Sequence, residues 1–214
     1  MIKNENRSKK IIALAEKLPL FTFDDLTSVE KSRGYLGIIL HRHEEAGKFL
    51  RLKKGVYTTS NYIEKMKNRG QLEMFMDFLA NFLYKPSYLS LEMVLYRHNI
   101  LTDVPFHPTS ITKNKTIVFQ NKLGAFFYYK IKPSLFCGFE ASEEFGFSIM
   151  RATKAKALFD FLYLRKNILP VKETVKELRL NVELLKRDDI KELKGYVAME
   201  GSKKMKEIVG HLLN

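Results

Sequence analysis

A chain of 214 residues with a 45% apolar fraction is long enough for one large domain or two small ones, and too apolar for wholesale disorder. Its single cysteine, Cys137, excludes an internal disulfide and favours the reducing cytoplasm, and no apolar run reaches membrane-spanning length. The formal net charge of +13 favours a polyanionic partner, while the scattered histidines predict neither a metal site nor a cofactor.

The N-terminal segment has the pattern of three helices. Asn4–Leu18 carries apolar residues on one helical face, and Pro19 ends that helix. Thr22–Asp25 resembles a capping box that opens a short second helix. A third helix is predicted from Arg33 to Ala46, where Gly47 stops it. Its predicted inward positions are Leu36, Ile39, Leu40 and His43.

A basic hairpin is predicted directly after these helices. Apolar and polar residues alternate along Phe49–Thr59, which predicts two strands around a tight turn at Lys53-Lys54-Gly55. Helices followed by a basic hairpin are the layout of a winged helix-turn-helix, in which one helix enters a DNA groove and the wing holds the backbone. We therefore predict that residues 1–60 form a winged helix-turn-helix DNA-binding domain.

The residues expected to touch DNA lie on the third helix and on the hairpin. A recognition helix presents polar or basic residues near its N-terminus. Arg33 and Tyr35 are therefore expected to determine any preference for particular DNA sequences. The hairpin cations are expected to contact phosphates. The alternative is a solvated basic surface on a domain used only for protein contacts. The predicted DNA-binding residues are Lys31, Ser32, Arg33, Tyr35, His41, Arg42, Arg51, Lys53 and Lys54.

Residues 61–214 are predicted to form a mixed α+β domain with a small antiparallel sheet and C-terminal helices. Ser90 is expected to cap a helix that runs to Arg97. The other predicted elements are a helical region at Asn61–Tyr84, an antiparallel hairpin from Ser110–Phe119 and Ala125–Ile131, strands at Leu135–Glu140 and Phe145–Met150, and helices at Ala152–Leu164, Val171–Leu178, Val182–Leu193 and Ser202–Leu213.

The sequence offers little sign of an active site. It contains no glycine-rich phosphate loop and no nucleophile elbow. Cys137 lies in an apolar stretch, which favours an inert thiol, and its pairing with His107 is only a hypothesis. The aromatic run Phe126–Tyr129 favours core packing, with base stacking as the alternative. We therefore expect no catalysis by this chain.

Three blocks of the sequence resemble the AbiEi antitoxins, winged-helix transcriptional regulators of bacterial abortive-infection systems. The first block is Arg51–Tyr57, and the third is Ala152–Leu164. The second consists of Pro86–Glu92, Thr109–Thr112 and Ile131–Phe139. The blocks follow one another in the family's order, which makes the resemblance more specific than the hairpin alone.

The resemblance implies a type IV antitoxin for phage defence, encoded beside a nucleotidyltransferase-like toxin that it neutralises without a stable complex. The N-terminal domain of this family represses the shared operon by binding double-stranded DNA at inverted repeats upstream, and the C-terminal domain counters the toxin. The resemblance carries DNA contact to Arg42, Arg51, Lys53 and Lys54.

Two positions depart from the family pattern. His43 stands where leucine is usual, and Lys154-Ala155 replaces the Pro-Glu that precedes the helix of the third block. Two alternative functions remain open. One is a stand-alone winged-helix regulator with a protein- or ligand-binding body and no toxin, and the other is an enzyme whose site is hidden in that body.

Overall fold

The computed structural model describes residues 2–169 and 171–213, with side chains from Arg7 onward. The chain divides into two compact units: Met1–Phe75 with Phe119–Gly124, and Met76–Val118 with Ala125–Asn214. The sequence placed the boundary near Ser60, whereas the first unit also includes the helix that follows the hairpin. The ring of Tyr62 on that helix packs against Phe75, with 5.4 Å between the ring centroids.

The first unit contains helices and a two-stranded antiparallel hairpin in the predicted order, with small shifts at the ends. The first helix ends before Leu18, and tighter turns complete the segment up to Pro19. The elements are α1 (Ile2–Ala15), α2 (Phe23–Leu26), α3 (Arg33–Glu45), β1 (Phe49–Lys53), β2 (Val56–Thr59) and α4 (Ser60–Asn68).

Local signals in the sequence account for where these elements begin and end. The predicted capping box of α2 is confirmed: the backbone N–H of Thr22 donates to Asp25 at 2.7 Å, and the Thr22 hydroxyl accepts from the Asp25 N–H at 3.5 Å. Gly47 follows α3 with φ +69° and Gly55 turns the hairpin with φ +78°, a conformation that glycine adopts without strain.

The core of the first unit joins the helices to the hairpin. The predicted inward residues Leu36, Ile39, Leu40 and His43 of α3 are all buried, which confirms that prediction. Phe21 exchanges two backbone hydrogen bonds of 2.9 Å with Tyr57 on β2. Its ring also stacks on Tyr57 and meets Phe49 of β1 edge to face. These aromatic contacts hold the hairpin against the helices.

The second unit is α+β, as expected, but its sheet is larger and mixed. Its elements, of which α5, β5 and β6 span the division between the units, are α5 (Leu72–Leu83), β3 (Ser87–Leu89), α6 (Glu92–Arg97), β4 (Thr109–Thr112), β5 (Ile117–Asn121), β6 (Gly124–Lys130), β7 (Phe139–Glu144), β8 (Phe147–Ala152), α7 (Lys154–Arg165), α8 (Lys172–Lys176), α9 (Arg187–Glu200) and α10 (Lys203–Leu213). The strands run in the order β5-β6-β4-β3-β8-β7, with β3 parallel to β8 and β4 parallel to β6.

The predicted small antiparallel sheet is therefore only partly correct. The predicted strand Ser110–Phe119 is interrupted after Thr112 and becomes two strands, β4 and β5. β5 lies beside β6 across a two-residue turn, where the hairpin was predicted, and so short a link requires antiparallel strands, whereas β4 lies parallel to β6. The predicted helical region Asn61–Tyr84 is likewise broken, at Gly70, whose φ of +65° lies outside the helical range.

The predicted helix cap at Ser90 was also wrong. The N-cap position of α6 is taken by Leu91, which makes no side-chain cap hydrogen bond. Ser90 is fully buried, and its hydroxyl donates to the Asp160 carboxylate at 2.8 Å. The local sequence around a serine near the start of a helix is the same whether its hydroxyl caps the helix or binds a carboxylate far along the chain. The sequence alone therefore could not distinguish the two roles.

Asp160 belongs to a buried polar cluster. Its carboxylate forms an ion pair with Lys156 one turn earlier on α7, and both side chains are fully buried. Tyr88 on β3 donates its hydroxyl to the same carboxylate at 3.0 Å. Burial raises the pKa of Asp160, while the Lys156 ammonium and the hydrogen bonds act in the opposite direction. The Lys156 ammonium also lies 4.9 Å from the centroid of the Phe159 ring.

α7 begins regularly despite the departure from the family pattern at Lys154-Ala155. Thr153 caps it by accepting from the Lys156 backbone N–H at 3.1 Å. Lys154 forms an ion pair of 2.7 Å with Asp189 at the start of α9. Among the described residues, no helix has the length and apolar content needed to cross a membrane.

We expect Asp160→Ala to lower the free energy of unfolding by about 3–5 kcal/mol, because it leaves the Lys156 ammonium buried without its counter-charge. Urea denaturation followed by circular dichroism measures this change. Glu207→Ala is the control: it removes one partner of the exposed pair Lys203–Glu207 and should change stability by less than about 0.5 kcal/mol. Equal losses in the two variants would show that the buried pair is unimportant.

Candidate nucleic-acid interface

The candidate site is built on the outer face of α3 and on the hairpin of the first unit. Helical spacing places Gly34, Ile38, His41 and Glu45 opposite the buried residues of α3, and all four are exposed. The ring of buried His43 packs on Phe49 at 5.1 Å, so α3 and β1 are in direct contact. The core of the unit thereby holds the helix and the hairpin together.

The N-terminus of α3 is fixed by hydrogen bonds. The Ser32 hydroxyl accepts from the Tyr35 backbone N–H at 3.3 Å, and the Ser32 N–H donates to the Glu30 carboxylate at 2.9 Å. Ser32 thus caps the helix, the role that serine commonly takes at this position. Lys31 precedes it with an exposed side chain.

The two residues expected to read bases are placed differently from one another. Arg33 is exposed and forms a 2.7 Å ion pair with Asp24 on α2, whose side chain is also mostly exposed. Such surface pairs contribute little to stability, so an incoming phosphate can replace Asp24 at low energetic cost. Tyr35 is half-buried and packs against the core of the unit. Its ring therefore stabilises the helix rather than projecting from it.

The outer face of α3 continues with His41 and Arg42, which are both exposed. The His41 ring lies 3.5 Å from the Glu45 carboxylate one turn later. His43, by contrast, faces inward, and its Nε2 atom lies 3.4 Å from the Ser8 hydroxyl on α1. Burial lowers the pKa of His43, and the positive charges of Lys48 and Arg42 lower it further.

The hairpin presents its cations along one strand and at its turn. Arg51 is exposed on β1, where it pairs with Tyr57 of β2, and Lys54 is exposed at the turn beside Gly55. Lys53 is partly buried at a register irregularity between the strands. Such irregularities increase the local twist of a hairpin and redirect its side chains.

Sequence reasoning missed Ile38 and Gly34 on the outer face of α3 and the half-buried Gly37 beside it. Ile38 is 64% exposed although its neighbours on that face are polar or lack a side chain. Among the described residues, a Cβ atom added at Gly34 or Gly37 would meet no atom within 4 Å. A glycine within a helix costs about 1 kcal/mol relative to alanine, and packing inside this protein does not require either one. The helical spacing of Gly34, Ile38 and His41 places them on one side of α3, and this signal would have identified the outer face.

A separate cavity of about 490 Å³ lies in the second unit. Its lining carries both signs of charge, from residues on β7, β8 and α9 and the segments beside them. The charged residues in the lining are Glu140, Arg151, Lys154, Lys186 and Asp189, and His98 lies beside them. Lys154 and Asp189 already pair with one another across this lining.

The hypothetical Cys137–His107 pair has no support in the geometry. The ring of His107 packs on Phe127, with 5.6 Å between the centroids. Cys137 is half-buried and lies close enough to Tyr88 and Tyr196 to raise the pKa of both hydroxyls, although burial is the larger cause in each case. No hydrogen bond joins the thiol to the imidazole within the part of the chain that is described.

We expect the stability of the first unit to depend on the protonation of His43. Above a pH of about 6.5 the imidazole is neutral in both the folded and the unfolded chain, and the full stability is present. As the pH falls, the unfolded chain takes up the proton first, so stability is lost down to the lowered pKa of the folded state. His43→Leu should flatten the decline of the thermal midpoint between about pH 7 and pH 5.

Exposed His41 provides the matched control for that measurement. His41→Leu should retain the wild-type decline, because its side chain is in contact with solvent in the folded protein. A decline that is equally steep in wild type and in His43→Leu would contradict the assignment of the pH response to the buried imidazole.

Comparison of the sequence with models of protein families and with curated proteins found no match. The resemblance to AbiEi antitoxins therefore rests on the three sequence blocks alone. Any function must be argued from the residues and from their arrangement in the two units.

Proposed function

We propose that this protein is a DNA-binding transcriptional repressor that acts as the antitoxin of a type IV, AbiE-like toxin–antitoxin system. In this proposal the first unit is a winged helix-turn-helix: α3 is the recognition helix and the β1–β2 hairpin is the wing. The second unit counters the toxin. The protein works in the cytoplasm and is not an enzyme.

The observation that carries the proposal is the distribution of charge on the first unit. One helix and the hairpin packed against it both expose basic side chains, while the opposite face of the helix forms the core. Phosphate contacts by such cations supply most of the affinity of DNA-binding proteins, and the helix supplies the shape that enters a major groove. Arg33, Arg42, Arg51 and Lys54 are the exposed cations assigned to the DNA.

The remaining predicted contacts have more limited roles in this proposal. Ser32 holds the start of the recognition helix, and Tyr35 packs beneath it, so both act by positioning. Lys31, His41 and Lys53 extend the basic surface at its edges. Arg33 reaches the DNA by exchanging the carboxylate of Asp24 for a phosphate or a base edge.

The buried pair Lys156–Asp160 supports the assignment of a structural rather than a catalytic body. Both side chains are fully enclosed, so neither can reach a substrate in this conformation. The carboxylate is satisfied by Lys156, Tyr88 and Ser90. Toxin control is therefore assigned to the surface of the second unit.

Replacing Arg51, Lys53 and Lys54 with alanine should weaken the salt dependence of DNA binding. Each lost phosphate contact lowers the slope of log affinity against log salt by about 0.9, so the triple variant should lose up to about 2.7. The control removes the same charge from α10 by replacing Lys203, Lys204 and Lys206, and it should keep the wild-type slope. An unchanged slope in the hairpin variant would exclude the hairpin from DNA contact.

The function itself is tested in two arms with the full chain. Fluorescence anisotropy near physiological salt compares the DNA upstream of the gene with scrambled DNA, and we expect affinity for the upstream DNA to be orders of magnitude higher. Co-expression with the product of the adjacent reading frame, if that frame encodes a nucleotidyltransferase-like protein, should restore growth. Equal weak binding to both DNAs would contradict the repressor, and continued toxicity would contradict the antitoxin.

The second candidate is a stand-alone winged-helix regulator whose body binds a small ligand. The cavity of about 490 Å³ in the second unit favours it, because its charged lining offers partners to a polar molecule. Selective binding to the upstream DNA, together with the absence of a toxin gene beside it, would favour this candidate over the antitoxin.

A further inference from the structure

The outer face of α3 has a chemistry that phosphate binding does not explain. Its centre is occupied by Ile38, whose side chain is 64% exposed between Gly34 one turn before and His41 one turn after. Isolated exposed apolar residues are common on protein surfaces and need no explanation by themselves. Here, however, the residue lies at the middle of the helix face assigned to the DNA groove.

The two glycines of α3 add a second, independent observation. A side chain at Gly34 or Gly37 would extend into open space, so neither glycine is needed for packing inside the protein. Both lower the intrinsic helix propensity of α3 without a compensating contact within the chain. Their effect is to leave Ile38 projecting above a bare stretch of helix backbone. A partner can therefore approach the backbone closely on the N-terminal side of that side chain.

The flanking charges identify the chemistry of that partner. Arg33 and Arg42 are exposed near the two ends of this face, and His41 lies beside Ile38. An apolar group at the centre and cations at the margins match the major groove of DNA. There the thymine C5-methyl group is the apolar feature, and the phosphates lie along both edges.

We propose that Ile38 contacts a thymine methyl group in the major groove and that Gly34 and Gly37 allow α3 to approach closely enough for this contact. This inference rests on the proposed DNA-binding function and adds a residue that determines sequence preference. The hydrogen-bonding residues on the helix supply contacts to phosphates or to other base edges, and Ile38 distinguishes thymine from cytosine at one position of each half-site.

Substitution of deoxyuridine for thymine gives a sharp test, because it removes the methyl group and leaves every hydrogen-bonding atom in place. Footprinting on the DNA upstream of the gene identifies the protected thymines, and each is replaced in turn. Fluorescence anisotropy then measures the affinity of wild type and of Ile38→Ala for each DNA. For wild type we expect a loss of about fourfold at the contacted thymine, the value that burial of one methyl group implies.

The Ile38→Ala variant should bind the unmodified DNA more weakly than wild type and should be insensitive to the same thymine replacement. This lack of additivity is the signature of a direct contact. Met199→Ala is the matched control, since Met199 is likewise an exposed apolar side chain, 53% exposed on α9 of the second unit. It should retain both the wild-type affinity and the wild-type response to deoxyuridine.

Gly37→Ala provides a separate measurement that does not depend on removing a side chain. Alanine should raise the thermal midpoint of the protein, because helix propensity improves and nothing obstructs the new methyl group. The same change should weaken binding to the upstream DNA, because the backbone can no longer approach as closely. Higher stability with unchanged affinity would overturn the role given to the glycines.

The outcomes separate this inference from the function on which it rests. If wild type does not prefer the upstream DNA to scrambled DNA, the proposed repressor fails and the Ile38 contact fails with it. If wild type prefers the upstream DNA, but deoxyuridine affects wild type and Ile38→Ala equally at every protected thymine, only the Ile38 contact is overturned.

Discussion

The second unit depends on the ion pair between Lys156 and Asp160, which is enclosed between helix α7 and the sheet. Burying two charges is unfavourable unless each finds its partner, so this pair restricts how α7 can dock. Tyr88 supplies a hydrogen bond from β3, and Ser90 supplies another from the segment after it. Two of the three blocks that resemble AbiEi antitoxins contain these residues. Within these two blocks, the residues of the cluster act in packing and not at the surface.

In the first unit the equivalent constraint is aromatic. Phe21, Phe49 and Tyr57 join the segment before α2 to both strands of the hairpin, and His43 brings α3 against β1. These ring contacts hold the hairpin against the helices, so the basic side chains of α3 and of the hairpin are carried by elements that share one core. Protonating the buried imidazole of His43 would place a charge inside this core, and for that reason we expect the unit to be less stable at low pH.

Sequence reasoning succeeded where the signal was local. The spacing of Leu36, Ile39 and Leu40 and the stop at Gly47 were sufficient to define α3, since helical periodicity and capping act within a few residues. It failed for the sheet, because the parallel pairing of β4 with β6 is decided by contacts between distant segments. The exposure of Arg42 was predictable from the same periodicity, and that of Arg51 and Lys54 from the alternation and the turn of the hairpin. The Arg33–Asp24 pair and the inward packing of Tyr35 were not, since both depend on how α2 and α3 meet.

For the proposed function, the pairing of Arg33 with Asp24 has a consequence for how quickly the protein would find its target. Because a carboxylate of the protein occupies the guanidinium until a phosphate displaces it, the positive potential at Arg33 is lower than an unpaired arginine would give, while the net charge of the protein is unchanged. In the proposed function, each contact that Arg33 makes with non-target DNA would then be slightly weaker and shorter-lived, since such contacts are almost entirely electrostatic. A protein that leaves incorrect sites quickly examines more of them in a given time. This surface ion pair, although it contributes little to folding, would thus favour rapid search over prolonged binding at random sequence.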